Sequence, residues 1–107
     1  MNPYTLPGII HTPEEIIKTV SRVTSIPIKQ MQSKTRKRKV VMARQIAMYF
    51  IIMKTKTSER VTGEMFGNRD HSTVNWAKTT VNNLVRFDKD YRYTFQKVKT
   101  ELCKRVS

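Results

Sequence analysis

Apolar positions recur three and four residues apart through most of this chain, a spacing that predicts helices. Ile16, Ile17, Val20 and Val23 form the first stripe. It is introduced by Thr12-Pro13-Glu14-Glu15, where the threonine can cap, the proline suits the first helical position and Glu15 completes a capping box. Ile26-Pro27 breaks the pattern and leaves Ile28 and Met31 to pack a short second turn. Val41 to Lys54 is apolar almost all round, which predicts a central helix covered on most sides. Its β-branched and aromatic content would also suit a strand, but the run does not alternate and has no neighbouring strand to pair with. Ser58 can cap a short helix through Met65-Phe66, and Gly67-Asn68 supplies residues that tolerate a left-handed backbone where that helix stops. Asp70 can cap the next helix, whose core stripe is Val74, Ala77, Val81, Leu84 and Val85. A last helix, near Lys89 to Arg105, carries Tyr91, Phe95, Val98 and Leu102. Met1 to His11, with two prolines and a glycine, reads as a loosely packed, flexible arm, so residues 12–107 are expected to form one all-α domain.

Charge narrows the function. Lysine and arginine number 21 against 8 acidic residues, a formal charge of +13, which draws the chain to polyanions: nucleic acid, an anionic membrane or an acidic protein. Seven basic residues and no acid lie between Lys29 and Arg44, densest at Lys34, Arg36, Lys37, Arg38 and Lys39. A solvated loop that serves only solubility is the plain alternative. Catalysis has no support: no carboxylate pair, nucleophile–base pair or metal cluster is visible, three glycines leave no room for a phosphate-binding loop, and no cofactor is expected. Cys103 has no disulfide partner, and His11 and His71 lack metal-ligand spacing. The longest apolar run, Ile46 to Met53, has 8 residues, against roughly 20 for a membrane span. With no signal peptide at the start, a soluble protein of the reducing cytoplasm is expected.

A short helix, a turn at Gly67-Asn68 and a longer helix with a polar start together describe a helix-turn-helix. In that motif the second helix enters the major groove amino end first, so the residues at its start decide what is read. Here these are Arg69, Asp70, His71, Ser72 and Thr73, each of a type that suits a base edge. On spacing alone Asp70 could equally be only a cap and His71 only a surface histidine.

Two stretches carry a resemblance. Ala43-Arg44-Gln45-Ile46-Ala47-Met48, followed by Phe66-Gly67-Asn68-Arg69-Asp70-His71-Ser72-Thr73-Val74, is similar to the C-terminal DNA-binding domain family of the bacterial replication initiator DnaA, from about Thr12 to the C-terminus. The resemblance implies a Trp-repressor-like helical fold that recognises DnaA boxes, short asymmetric A/T-rich duplex sites. It implies that Arg69 to Thr73 face the major groove and that Arg36, flanked by Lys34, Lys37 and Arg38, reaches into the minor groove. That agrees with the attraction of arginine to narrow A/T-rich minor grooves. Arg44 and Gln45, expected at the start of the central helix, and Ser58 match family positions that touch phosphates. The chain departs from the family pattern at Ser72, usually threonine; at Asn68, usually glycine; at Glu59-Arg60-Val61-Thr62, usually Leu-Pro-Glu-Ile; and at Ile52, often lysine. No AAA+ ATPase portion of the initiator is expected ahead of it, so binding without origin remodelling is expected, either of a phage or mobile-element protein or of an excised domain.

Trp76 lies off the core stripe, and the expectation is that it packs partly against the last helix. Met31, Met42, Met48, Met53 and Met65 read as core filler. Two other functions compete with sequence-specific duplex binding: indiscriminate coating of DNA or RNA, and a protein-interaction module that regulates the initiator.

Overall fold

The computed structural model describes residues 11–104, and six helices account for its regular structure: α1 Pro13–Thr24, α2 Ile28–Met31, α3 Arg38–Lys54, α4 Glu59–Met65, α5 His71–Phe87 and α6 Lys89–Lys104. No strand occurs among the described residues. The expected flexible arm lies, apart from His11, outside them, as does Arg105 at the expected end of the last helix.

Local chemistry accounts for where the helices begin and stop. The Glu15 amide donates to Thr12 Oγ1 at 3.2 Å and Pro13 occupies the first helical position, so α1 starts where the capping residues stand. It ends at Ser25, whose φ of 60° turns the chain into the left-handed region. Pro27 then precedes α2, the single turn that seats Met31 in the core. The central helix begins three residues before its apolar run, because Arg38 and Lys39 form an exposed first turn ahead of buried Val40. Arg44 and Gln45 therefore lie almost two turns inside α3 and not at its start.

Helix α3 is the hub, packing against α1, α2, α4 and α5, while α6 closes the structure against α1 and α5. Ala43, Ile46, Ala47, Phe50 and Ile51 are buried along it, with Ile16 and Val20 of α1, Val74 and Val81 of α5, and Val98 and Leu102 of α6 around them. Tyr49, Phe50 and Phe95 meet ring to ring at centroid separations of 4.9–5.4 Å, joining α3 to α6. Phe66, fully buried, anchors the end of α4; burial of a side chain of this size contributes roughly 1.5–3 kcal/mol.

Two expectations about the core fail. Met53, in the last turn of α3, is 57% exposed, whereas Phe50 and Ile51 just before it are buried. Trp76 is 67% exposed and borders the α3 residues Val41, Arg44, Gln45 and Met48, since the face that α5 turns inward is Val74, Ala77 and Val81, continued by partly buried Leu84 and Val85.

Candidate nucleic-acid interface

Helices α4 and α5 form the expected helix-turn-helix, and glycine makes the turn possible twice. The Gly63 carbonyl accepts both the Phe66 amide at 3.1 Å and the Arg69 amide at 2.9 Å, which folds the turn tightly back on α4. A Cβ on Gly63 would collide with the Arg69 carbonyl. Gly67, at φ +83°, and Asn68, at φ 59°, carry the left-handed step. A Cβ on Gly67 would come within 2.5 Å of the Gln32 carbonyl, so the turn also lies against the chain leaving α2. Ser58 Oγ accepts from the Val61 amide at 3.1 Å to cap α4, and the Lys78 ammonium reaches Glu59 at 3.4 Å to tie α4 to α5.

At the start of α5, Asp70 is a cap. Its Oδ1 accepts the Thr73 amide at 3.0 Å, the Ser72 hydroxyl at 2.6 Å and the Thr73 hydroxyl at 3.2 Å. Those bonds, Ser72's foremost, hold its carboxyl below the usual aspartate value. His71, Ser72 and Thr73 are exposed around it.

The basic segment, residues 32–37, is irregular but well anchored. Arg44 is only 6% exposed. Its Nε donates to the Met31 carbonyl at 2.8 Å and its Nη2 to the carbonyls of Ser33 at 3.0 Å and Thr35 at 3.2 Å. Arg69, in the turn, donates to the same Ser33 carbonyl at 2.8 Å. Burial, and then the neighbouring Arg69 charge, lower the pKa of Arg44. Gln32 adds a bond from its side-chain amide to the Met65 carbonyl at 3.0 Å. Thus two arginines expected to meet DNA are committed, in part, to holding the loop against the turn.

Around these anchors lies a recess of about 590 Å³ lined by Lys34, Thr35, Arg36, Arg44, Asn68, Arg69 and Thr73, with Gly67 at its edge. It joins the basic loop to the amino end of α5, and one edge of Arg44 still faces into it. Gln45 sits beside this area, next to Thr73 and Trp76. Arg38 shares a neighbouring hollow with Arg36 and Gln45, and Lys37 is exposed at the mouth of α3. Ser58, exposed at the start of α4, and His71 do not line the recess.

Two residues of this region have no signature in the sequence. Tyr91 donates its hydroxyl to Gln45 Oε1 at 3.0 Å, which leaves the two N–H donors of the amide for another acceptor. Burial, and then the charge of Asp88, raise the Tyr91 pKa, so the hydroxyl stays a donor. Asp88 pairs with Arg38 at 2.8 Å and caps α6 by accepting the Tyr91 amide at 3.1 Å. These partners are 46 and 50 residues apart.

No group of metal-ligating side chains occurs among the described residues, and no helix there is long and apolar enough to cross a membrane.

Comparison with known proteins agrees with this geometry. The family described as the bacterial DnaA protein helix-turn-helix matches residues 13–81. The chromosomal replication initiator DnaA of Flavobacterium psychrophilum is 48% identical over 77 residues, covering 72% of this chain and 16% of that protein. The initiators of Bacteroides thetaiotaomicron and Bacteroides fragilis are 35% and 37% identical, covering 92% and 88% of this chain and 22% and 20% of those proteins. The chain thus spans about a fifth of the length of the curated relatives it matches. With the capped α4 and α5, the glycine turn and the match over most of its length, the chain belongs to the bacterial DnaA helix-turn-helix family.

Proposed function

We propose that this chain binds double-stranded DNA sequence-specifically, at DnaA-box-like sites, and acts in the cytoplasm in replication initiation or its regulation, without catalysis. The observation that carries this reading is the juxtaposition of the exposed amino end of α5 with an anchored, strongly basic loop across one recess. The amino end of α5 is favourable for phosphate, and exposed Lys34, Arg36 and Lys37 add positive charge beside it. In this reading His71, Ser72 and Thr73 meet base edges in the major groove while Arg36 enters the adjoining minor groove. Gln45 and Ser58, with the open edge of Arg44 and with Arg38, take phosphates. Asp70 serves by presenting the helix end. Arg69 Nε is buried without a hydrogen-bond partner, so turning this side chain towards a phosphate or guanine would give a stranded donor an acceptor.

Neutralising about six phosphates gives a log–log salt dependence of affinity near −5, and a box should be preferred over random duplex by at least roughly a thousandfold. Titrating labelled box and scrambled duplexes at two salt concentrations measures both. Equal affinities for the two would refute the proposal.

The contacts divide further. His71→Ala is expected to cost preference for the box, by about tenfold or more for a lost base contact, with little loss on random duplex. Lys37→Ala should weaken both alike and flatten the salt dependence by about one unit. Parallel titrations of the two variants check this, and a uniform loss in His71→Ala counts against α5 as the reading helix.

A further inference from the structure

We infer that Trp76 is a specificity-determining residue that packs its indole against the C5-methyl group of a thymine in the major groove. The inference rests on the DNA-binding reading above and adds to it a contact that neither the family resemblance nor the charge pattern supplies. Trp76 follows Ser72 by four residues and Thr73 by three, so all three share the outer flank of α5, away from the buried Val74, Ala77 and Val81. It stands about 6 Å farther along the helix than Ser72, a distance that keeps it alongside the same few base pairs. The side chain is 67% exposed and borders a small hollow of about 90 Å³ lined by Arg44, Gln45 and Thr73 among others, which places it on the side of α5 next to the proposed phosphate donors.

Chemistry then selects the ligand. An indole has one N–H donor and no acceptor, so most of what it offers is apolar area. The apolar group on a major-groove base edge is the methyl of thymine. Ser72, by contrast, has a hydroxyl and no methyl with which to make that contact. The other strongly exposed rings, Phe87 and Tyr93, lie at the far end of α5 and on α6, each with a cation, Arg86 or Lys97, within 6 Å of its face.

Trp76 is the sole tryptophan of the chain, so its emission reports this contact directly. The full chain is titrated with a DnaA-box duplex while anisotropy of a labelled strand measures binding independently. Tryptophan emission should shift or quench along the same isotherm. Thymines of the box are then replaced one at a time by uracil, which removes the methyl and keeps every hydrogen-bonding group. One or two positions should weaken the unsubstituted chain by about fourfold, the effect of one buried methyl, and leave Trp76→Ala indifferent. The exposed position makes Trp76→Ala compatible with folding, verified by an unchanged thermal midpoint. Anisotropy that rises with no change in emission overturns the inference and spares the DNA-binding reading. So does an emission change accompanied by a flat uracil scan, which would put the indole on the sugar–phosphate backbone. If anisotropy never rises, the DNA-binding reading fails and this inference with it.

Discussion

Alanine at Gly63 should lower stability by about 2–4 kcal/mol, the reverse of what the same change does inside an ordinary helix. There, removing a glycine stabilises by roughly 0.5–1 kcal/mol, because the unfolded chain loses freedom. Gly63 differs because its missing side chain is the space through which the turn returns. The atom that a Cβ would strike is the Arg69 carbonyl, part of the backbone, and no rotamer change can move it aside. The two amides that converge on the Gly63 carbonyl, those of Phe66 and Arg69, would be displaced together with it. For a domain of this size, the thermal midpoint should fall by about 10–20 °C. Thermal or urea denaturation followed by circular dichroism measures this, and a midpoint equal to or above that of the parent chain would show that the turn can open without penalty.

Arg44→Ala is expected to be comparably severe and to reach farther. The guanidinium bonds three backbone carbonyls in a site where water has little access, so its loss leaves the Met31 and Thr35 carbonyls without this donor and the Ser33 carbonyl with Arg69 alone, at about 1–3 kcal/mol for each acceptor that stays dry and unpaired. Relaxation of the loop into solvent will recover part of this, so a net loss of about 3 kcal/mol is expected. The same relaxation frees Lys34 and Arg36 from a fixed position, and affinity for a box should drop ~30-fold or more as ordering the loop becomes part of binding. Arg44→Lys tests the geometry in particular. It keeps the charge but cannot spread its donors across three carbonyls as a planar fork does, and it should recover less than half of either loss. Wild-type stability and affinity in Arg44→Lys would mean that charge alone matters here.

What could be read from the sequence was the local part. Thr12, Ser58 and Asp70 cap helices because a cap needs only a side-chain oxygen and an amide three residues on, and all three do so. The stripe of α5 was visible at Val74, Ala77 and Val81 for the same reason. The beginning of α3 was hidden, since its first turn is charged and exposed and leaves no apolar period to count. The structural part of Arg44, which the resemblance places only on phosphate, was hidden because its acceptors are main-chain carbonyls, which every residue possesses. Gly63 carried no signal in the sequence, because nothing nearby announces that Arg69 will pass against it. Tyr91 and Asp88 could be connected to Gln45 and Arg38 only once α6 was folded against the rest. That Trp76 lies off the core stripe was legible from its helix phase, but which helix it borders was not, because that depends on how α5 is set against α3 and α6.

The Ser33 carbonyl takes a guanidinium from α3 and another from the turn before α5. On the proposed reading, the loop that enters one groove and the helix that enters the other are therefore clamped to a common point before any duplex arrives. Such a pair behaves like the jaws of a caliper set to a fixed opening: an extra base pair between the two contact points cannot be absorbed by slack in the protein, and the duplex itself must bend or twist to fit.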